Sequence, residues 1–294
     1  MKELVVVSGK GGTGKTSITA AFATIAKGAV IADCDVDAPD IPLILEPSIR
    51  SREDFSGGKK AKIIPENCTA CGICQSICRF DAISIDKSNG KYRVDPTLCD
   101  SCGVCVWNCP ENAIEFNPVI NGELFVSETR VGYMVHAHLG IAEENSGKLV
   151  TLIREKAKKI AKENGKELVI IDGPPGIGCP VIASMSNATL ALAVTEPTTS
   201  GEFDLVRIIE LTKNMSVPAV VVINKWDINK EVTENIEKTL KKLNVPLIGK
   251  IPYDRAFTEA QIHKKSIIEF AESTTTKTIK NLWKIVREKI EIEN

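Results

Sequence analysis

The octapeptide Gly9-Lys10-Gly11-Gly12-Thr13-Gly14-Lys15-Thr16 stands between an apolar run, ELVVVS at 3–8, and an alanine- and threonine-rich segment, GKTSITAAFATIAK at 14–27. The first reads as a buried strand and the second as a helix. In that context the pattern GxxxxGK[ST] is specific: glycines let backbone N–H groups wrap phosphates at a helix N-terminus, where the dipole favours negative charge. Lys15 is expected to reach the β- and γ-phosphates and Thr16 to ligate Mg²⁺, with Ser17 in the same cradle.

Further along, buried strands alternate with helices. Strands are predicted at 29–33, 167–172, 189–195, 217–223 and 246–250, and helices at 146–164, 201–214, 230–243 and 277–291, with a hairpin past Pro118 (GELFVSE and RVGYMVHAH). This alternation is the signature of an α/β fold, a mostly parallel sheet covered by helices on both faces. The polar, glycine-bearing stretch 51–62 reads as a linker. With 37 basic and 38 acidic residues and no dense basic block, the composition argues against a nucleic-acid partner. The N-terminal apolar run is too short for a signal segment or a membrane span, so a cytoplasmic protein with no membrane partner is expected.

Eight of the ten cysteines crowd between Cys68 and Cys109, a density that points to metal ligation rather than disulfide stapling. They form an internal repeat. Cys68, Cys71, Cys74, Cys78, Ala82 and Ile83 recur 31 residues later as Cys99, Cys102, Cys105, Cys109, Ala113 and Ile114. The spacing CxxCxxCxxxC resembles that of bacterial two-cluster ferredoxins, in which the fourth cysteine of each run ligates the other cube. One [4Fe–4S] cluster would then use Cys68, Cys71, Cys74 and Cys109, and the other Cys99, Cys102, Cys105 and Cys78. Zinc prefers two CxxC pairs around one ion. Arg79 stands where a proline usually follows the fourth cysteine. Three segments result: the nucleotide-binding domain in two parts, 1–59 and 119–294, and an inserted small α+β, ferredoxin-like domain at 60–118.

The KGGxGKT loop resembles the deviant Walker loop of the MinD, Mrp and nitrogenase iron-protein ATPases. The resemblance implies that Lys10 crosses a dimer interface to the partner's phosphates, so that ATP binding forms a homodimer. It identifies Asp33-Cys34-Asp35 as switch I, with Asp35 positioning the attacking water and Asp33 in the magnesium shell. Asp172, closing ELVIID, matches the Walker B aspartate beside Mg²⁺, and Gly173-Pro174-Pro175-Gly176 matches switch II. Asn224-Lys225-Trp226-Asp227 reads as NKxD, which in GTPases selects guanine through the aspartate. The resemblance instead implies adenine, contacted by Asn224 and by a late loop containing Pro252, and hence ATP and ADP.

The leading expectation is an ATP-binding and ATP-hydrolysing iron–sulfur protein that couples the nucleotide state of a dimer to electron transfer through two [4Fe–4S] clusters, with a redox or iron–sulfur acceptor protein as partner. Two competitors stand beside it: an iron–sulfur cluster assembly or carrier ATPase, and a non-redox partitioning or scaffolding switch. Carriers of the Mrp type use a late CxxC, whereas no cysteine follows Cys179 here. Cys179 lies seven residues after Asp172, the offset of a cluster ligand in the nitrogenase iron protein, but it reads first as a structural thiol. Cys34 reads as core, and His136 and His138 as ordinary hydrogen-bonded histidines on one strand face. Ser146 reads as a helix cap in Asn145-Ser146-Gly147-Lys148. The stripe Ile279, Leu282, Trp283, Val286 and Ile290 is expected to pack on the sheet.

Overall fold

The computed structural model describes residues 1–140 and 146–292. They divide into two compact units, one formed by Met1–Glu53, Leu124–His138 and the chain from Ser146 onward, the other by Asp54–Glu123 with Leu139 and Gly140. The chain opens with β1 (Lys2–Ser8), α1 (Lys15–Ala26), β2 (Val30–Asp33), α2 (Ile41–Leu45) and β3 (Ser48–Phe55). Within the second unit follow β4 (Gly58–Ile63), α3 (Ile73–Ser76), β5 (Ile83–Asp86), β6 (Lys91–Val94), α4 (Val104–Trp107) and β7 (Ile114–Val119). After β8 (Gly122–Thr129) and β9 (Gly132–Leu139) come α5 (Gly147–Glu163), β10 (Leu168–Pro175), α6 (Cys179–Met185), β11 (Leu190–Thr195) and α7 (Thr199–Asn214). Then β12 (Ala219–Asn224), α8 (Lys230–Leu243), β13 (Leu247–Ile251), α9 (Ala256–Ile262), α10 (Ile267–Phe270) and α11 (Thr274–Ile292) complete the described chain.

Among the described residues nine strands form one sheet in the order β13-β12-β11-β1-β10-β2-β9-β8-β3. β1 pairs in parallel with both β10 and β11, and the parallel pairing extends outward on both sides to β13 and β9. This is the mostly parallel sheet that the alternation predicts, and Leu4 to Val7 are fully buried at its centre. The strand order reverses at β1, which opens a crevice at the strands' carboxyl ends. Register decides what faces that crevice: Val6 lies beside Asp172, and Asp172 beside Asp33.

Helix α11 buries Ile279, Leu282, Trp283, Val286 and Ile290, as its periodicity predicts. Trp283 packs against Phe22 of α1 with ring centroids 5.1 Å apart. Gly249 lets the helix approach β13, since an added Cβ there would stand 2.6 Å from Leu282 Cδ2. Among the described residues no helix is long and apolar enough to cross a membrane. Ser146 caps α5, its Oγ accepting from Leu149 N–H at 3.2 Å; Asn145 lies outside the described residues. Arg154 of α5 is buried against Glu3 at 2.8 Å and donates to the Ser186 carbonyl at 2.7 Å, fastening the end of α6 to the start of β1.

One expectation is overturned. The presumed linker 51–62 carries the end of β3 and most of β4. β3 closes the sheet and is exposed until Phe55, so its polarity is that of a charged edge strand.

The second unit obeys the 31-residue repeat well beyond its cysteines. α3 maps onto α4, and left-handed residues recur as Ala70 and Ser101 (φ 60 and 61°), Gly72 and Gly103 (82 and 73°), and Asp81 and Asn112 (51 and 49°). Ile64 N–H donates to the Ala113 carbonyl at 2.8 Å, and Asp95 N–H to the Ala82 carbonyl at 2.7 Å. β4 pairs with β7 and β5 with β6, both antiparallel. The repeats are thus interleaved around an approximate dyad. Their buried apolar cluster is small, Ala61, Ile63, Ile83 and Ile114, and six of the cysteines pack against it.

On β9, His136 stacks on Phe125 and its Nε2 lies 2.9 Å from Ser127 Oγ. Burial pushes this imidazole down to about 4 from 6.5. The unfolded chain therefore takes up the proton first as pH falls, so stability drops between about pH 6.5 and pH 4 and is level above that window. Chemical denaturation should show up to about 2 kcal/mol of loss from this group between pH 7 and pH 5, and His136→Gln should remove that slope.

Candidate functional site

The crevice is built first by the glycine loop. Gly12 and Gly14 adopt φ +79° and +87°, and a Cβ on Gly14 would lie 2.3 Å from Asn224 Nδ2. Gly9 is pressed against α7, where a Cβ would meet Asp204 Cβ at 2.3 Å. Side chains engage three of the loop's carbonyls: Ser8 Oγ donates to Lys10 O at 2.8 Å, Lys225 Nζ to Gly12 O at 2.9 Å, and Asn224 Nδ2 to Thr13 O at 2.8 Å. A loop that offers its N–H groups to an anion requires that arrangement.

Beneath the loop lies a buried charge cluster. Lys15 Nζ is 3.1 Å from Asp35 Oδ2 and 3.1 Å from Asp172 Oδ1. Asp172 also accepts from Thr16 Oγ1 at 2.8 Å and Thr19 Oγ1 at 2.9 Å, which ties the first turns of α1 to β10. Asp33 is 1% exposed, Asp35 7% and Asp172 0%. Burial, then the Asp172 charge, pushes the Asp33 carboxyl well above the usual carboxylate range. Burial also raises Asp35, against the pull of Lys15. For Lys15 itself burial works downward but Asp172 and Asp35 outweigh it, so the ammonium is held above its ordinary value. Three carboxyl groups against one ammonium leave room for another cation. Thr13 Oγ1 and Asp33 Oδ2 are the buried side-chain polar atoms without a hydrogen-bond partner among the described residues, and such atoms call for a ligand.

Lys10 points elsewhere. Its Nζ is 2.8 Å from Glu196 Oε1 and 3.0 Å from both Thr198 Oγ1 and Ser200 Oγ. Lys225 Nζ takes the other Glu196 oxygen at 3.0 Å. Burial would raise the Glu196 carboxyl, but the two lysines outweigh it and hold it low. Near Pro252, Trp226 N–H donates to Ile251 O at 3.2 Å and Tyr253 N–H to Asp227 Oδ1 at 2.7 Å. Ser17 Oγ accepts from Gln261 at 3.0 Å.

In the second unit the eight clustered cysteines sort into two cavities. Cys68, Cys71, Cys74 and Cys109 line one, together with Ile63, Tyr92 and Ile114. Cys78, Cys99, Cys102 and Cys105 line the other, together with Ala61, Ile83 and Val94. Burial, then the neighbouring thiols Cys99 and Cys102, pushes Cys105 up to about 11; Cys74 is raised by burial and then by Cys68, Cys71 and Cys109. Ala70 N–H points at Cys68 Sγ (3.4 Å) and Ala113 N–H at Cys109 Sγ (3.3 Å). None of the ten cysteines is in a disulfide. Among the described residues no three His, Cys, Asp or Glu side chains converge on a point where one ion would sit.

Residues 4–267 match the family described as the CobQ/CobB/MinD/ParA nucleotide binding domain. The chain belongs to that family. An uncharacterized protein of Methanocaldococcus jannaschii, MJ0578, is 33% identical over 290 residues, covering 97% of this chain and 96% of the relative. An iron-sulfur cluster carrier protein of Rickettsia typhi is 30% identical over 124 residues, 42% of this chain and 38% of the carrier. Among solved structures, the septum site-determining protein MinD of Pyrococcus horikoshii, complexed with Mg-ADP, superposes with a TM-score of 0.59 at 15% identity, covering 100% of this chain and 98% of that one. That likeness concerns the fold.

Within this family site the structure brings Lys15, Thr16, Asp33, Asp35 and Asp172 together and sets Lys10 apart on Glu196. Glu196, Thr198, Ser200 and Thr19 are polar neighbours that sequence reasoning missed. The available signal was TEPTTS at 195–200, a polar run directly after a buried strand. Cys34 is fully buried, and Cys179 is exposed at the start of α6. Gly14→Ala should weaken binding of a fluorescent nucleotide by more than about a hundredfold in anisotropy titration, while costing about 1–2 kcal/mol of stability for its left-handed backbone.

Proposed function

We propose that this protein hydrolyses Mg-ATP and that pairing of two copies on the nucleotide governs electron transfer through two [4Fe–4S] clusters. The observation that carries the redox half is the division of eight cysteines between two cavities, each lined by three from one run and the fourth from the other. The donor set suits the group: four thiols around an apolar chamber, with backbone N–H groups on two of the sulfurs. Cys68, Cys71, Cys74 and Cys109 would hold one cluster, and Cys99, Cys102, Cys105 and Cys78 the other. Bound there, each supplies a one-electron couple tuned by burial and hydrogen bonds to sulfur. The segment 60–118 is the redox module. Its small apolar core also supports the reading, because metal ligation would supply folding energy that Ala61, Ile63, Ile83 and Ile114 cannot.

At the nucleotide, the glycine loop and Lys15 bind the β- and γ-phosphates. Thr16, with Asp33 and Asp172 around it, supports Mg²⁺, and Asp35 orients the attacking water. The Mg-ADP of the Pyrococcus horikoshii relative and family membership support this assignment. Adenine is the base. Asp227, the carboxylate that would select guanine, accepts from the Tyr253 N–H at 2.7 Å. Lys10 acts on the partner's phosphates once released from Glu196, a trans charge worth about 10³ to 10⁵ in rate by analogy with arginine fingers. Moving the pairing equilibrium from 1:99 to 99:1 takes ~5.5 kcal/mol of differential binding.

Similarity to the Rickettsia typhi carrier over 124 residues favours a second reading, in which ATP governs delivery of a cluster to an acceptor protein. Transfer of iron and sulfide to an apo-acceptor, with no ATP effect on cluster reduction, would put it first.

The dimer is tested by mixing. Lys10→Ala and Asp35→Ala should each abolish turnover. Mixed in equal amounts they should recover about a quarter of wild-type rate, because half of random pairs are mixed and each has one intact site. No recovery would place Lys10 in cis.

The clusters are tested by composition. Anaerobic protein should carry about eight irons and eight sulfides per chain. Chelation should open residues 54–123 to limited proteolysis while the sheet unit resists. Protein without iron that keeps 54–123 protected would overturn the redox reading.

A further inference from the structure

The repeat also pairs two lysines. Lys60 on β4 and Lys91 at the start of β6 are 31 residues apart, the period of the cysteine runs. Lys91 Nζ donates to the Cys68 carbonyl at 2.6 Å, and Lys60 Nζ donates to the Cys99 carbonyl at 2.9 Å. Each reaches across the approximate dyad to the first cysteine of the other run, and both contacts are part-buried. An isolated lysine on a carbonyl is commonplace. The same contact on the equivalent atom of both repeats is a designed feature of the unit, in line with the crossed pairing of β4 with β7 and β5 with β6.

The carbonyls concerned belong to the loops that supply three of the four thiols of each cavity. Lys91 is tied to the loop carrying Cys68, Cys71 and Cys74, and its neighbour Tyr92 lines that cavity. Lys60 is tied to the loop carrying Cys99, Cys102 and Cys105, and its neighbour Ala61 lines the second cavity. A positive charge fixed beside a ligand loop favours whichever oxidation state is more negative, which is the reduced one, and a charge-assisted bond to the loop backbone also holds the thiols in place.

We propose that Lys60 and Lys91 are dyad-related positioning residues, each clamping the ligand loop of the opposite repeat and raising the reduction potential of the cluster held there. This rests on the cluster reading above. It implies that the two potentials are set separately: Lys91 acts on the site of Cys68, Cys71, Cys74 and Cys109, and Lys60 on the site of Cys99, Cys102, Cys105 and Cys78.

The test is an anaerobic redox titration followed by electron paramagnetic resonance, with iron and sulfide counted on each sample. Lys60→Met and Lys91→Met should each move one of the two couples to more negative potential and leave the other in place, and the couple that moves should differ between them. The double variant should move both. Lys60→Arg and Lys91→Arg should restore the wild-type potentials, while Lys60→Gln, which keeps a donor but no charge, should stay shifted. If a methionine variant loses iron, the glutamine variant carries the measurement. Unmoved couples in fully loaded variants, or equal movement of both couples in each single variant, would overturn the proposal and leave the clusters standing. Wild-type protein that takes up no iron and sulfide would overturn the cluster reading and this proposal with it.

Discussion

Asp172 is the constraint on which the nucleotide side depends. Its carboxylate ends an apolar strand in the middle of the sheet and is fully buried, yet it receives Lys15, Thr16 and Thr19 from α1. A buried carboxylate costs several kcal/mol unless its lone pairs are filled. Three donors from one helix fill them only if α1 begins where it does. The glycine loop is thereby held in place from below, and the register of β10 with β2 sets Asp33 alongside. Removing a partner would strand the carboxylate, at about 3–5 kcal/mol by analogy with broken buried pairs. The same cluster is tense by construction. Asp33 and Asp35 are pushed upward by burial, a state that a divalent cation would relieve.

The second unit answers to a different constraint. Its buried apolar side chains are few, and its two repeats are stitched together by crossed strands, crossed backbone bonds and crossed lysines. In such a unit, cysteines ligating the proposed clusters would do the work that a larger core does elsewhere. The thiols of Cys74 and Cys105 are raised by burial first and then by their neighbouring thiols. Coordination to iron, as proposed, would remove that penalty, since a ligating thiol is deprotonated outright.

Legibility in the sequence followed the range of the interaction. The glycine loop and the stripe on α11 are local patterns imposed by phosphate and core geometry and could be read directly, as could the 31-residue period of the cysteine runs. The helix at Lys230–Leu243 was placed to the residue because Asn229 caps it and its apolar period is regular. β3 was missed because an exposed edge strand carries no alternation. α6, α9 and α10, of seven, seven and four residues, were missed because helices of two turns or fewer show too little periodicity to read. Glu196 was legible only as part of a polar run after a strand, with no partner named by the sequence. Its role comes from β11 lying next to β1, a neighbour 186 residues away in sequence. Lys60 and Lys91 were readable in principle, as one more match at the period of 31, but a lysine repeat has no meaning until the strands are known to cross.

Lys10 shows how charge pairing within one copy bears on pairing between two. Its ammonium is satisfied by Glu196, Thr198 and Ser200 in its own chain, so a trans role requires it to exchange these partners for a neighbour's phosphate. Glu196 does not lose both cations in that exchange, because Lys225 remains on its other oxygen and also holds the Gly12 carbonyl. The carboxylate is therefore never stranded, which keeps the cost of releasing Lys10 well below that of breaking a buried pair outright. Phosphate carries more charge than a carboxylate and offers more acceptor oxygens. The exchange then favours the partner only while a triphosphate is present, and a copy facing a spent site recovers its own Glu196 contact. Under the proposed trans role, a lysine with two partners of unequal charge would make association depend on nucleotide without any change in the sheet that carries it.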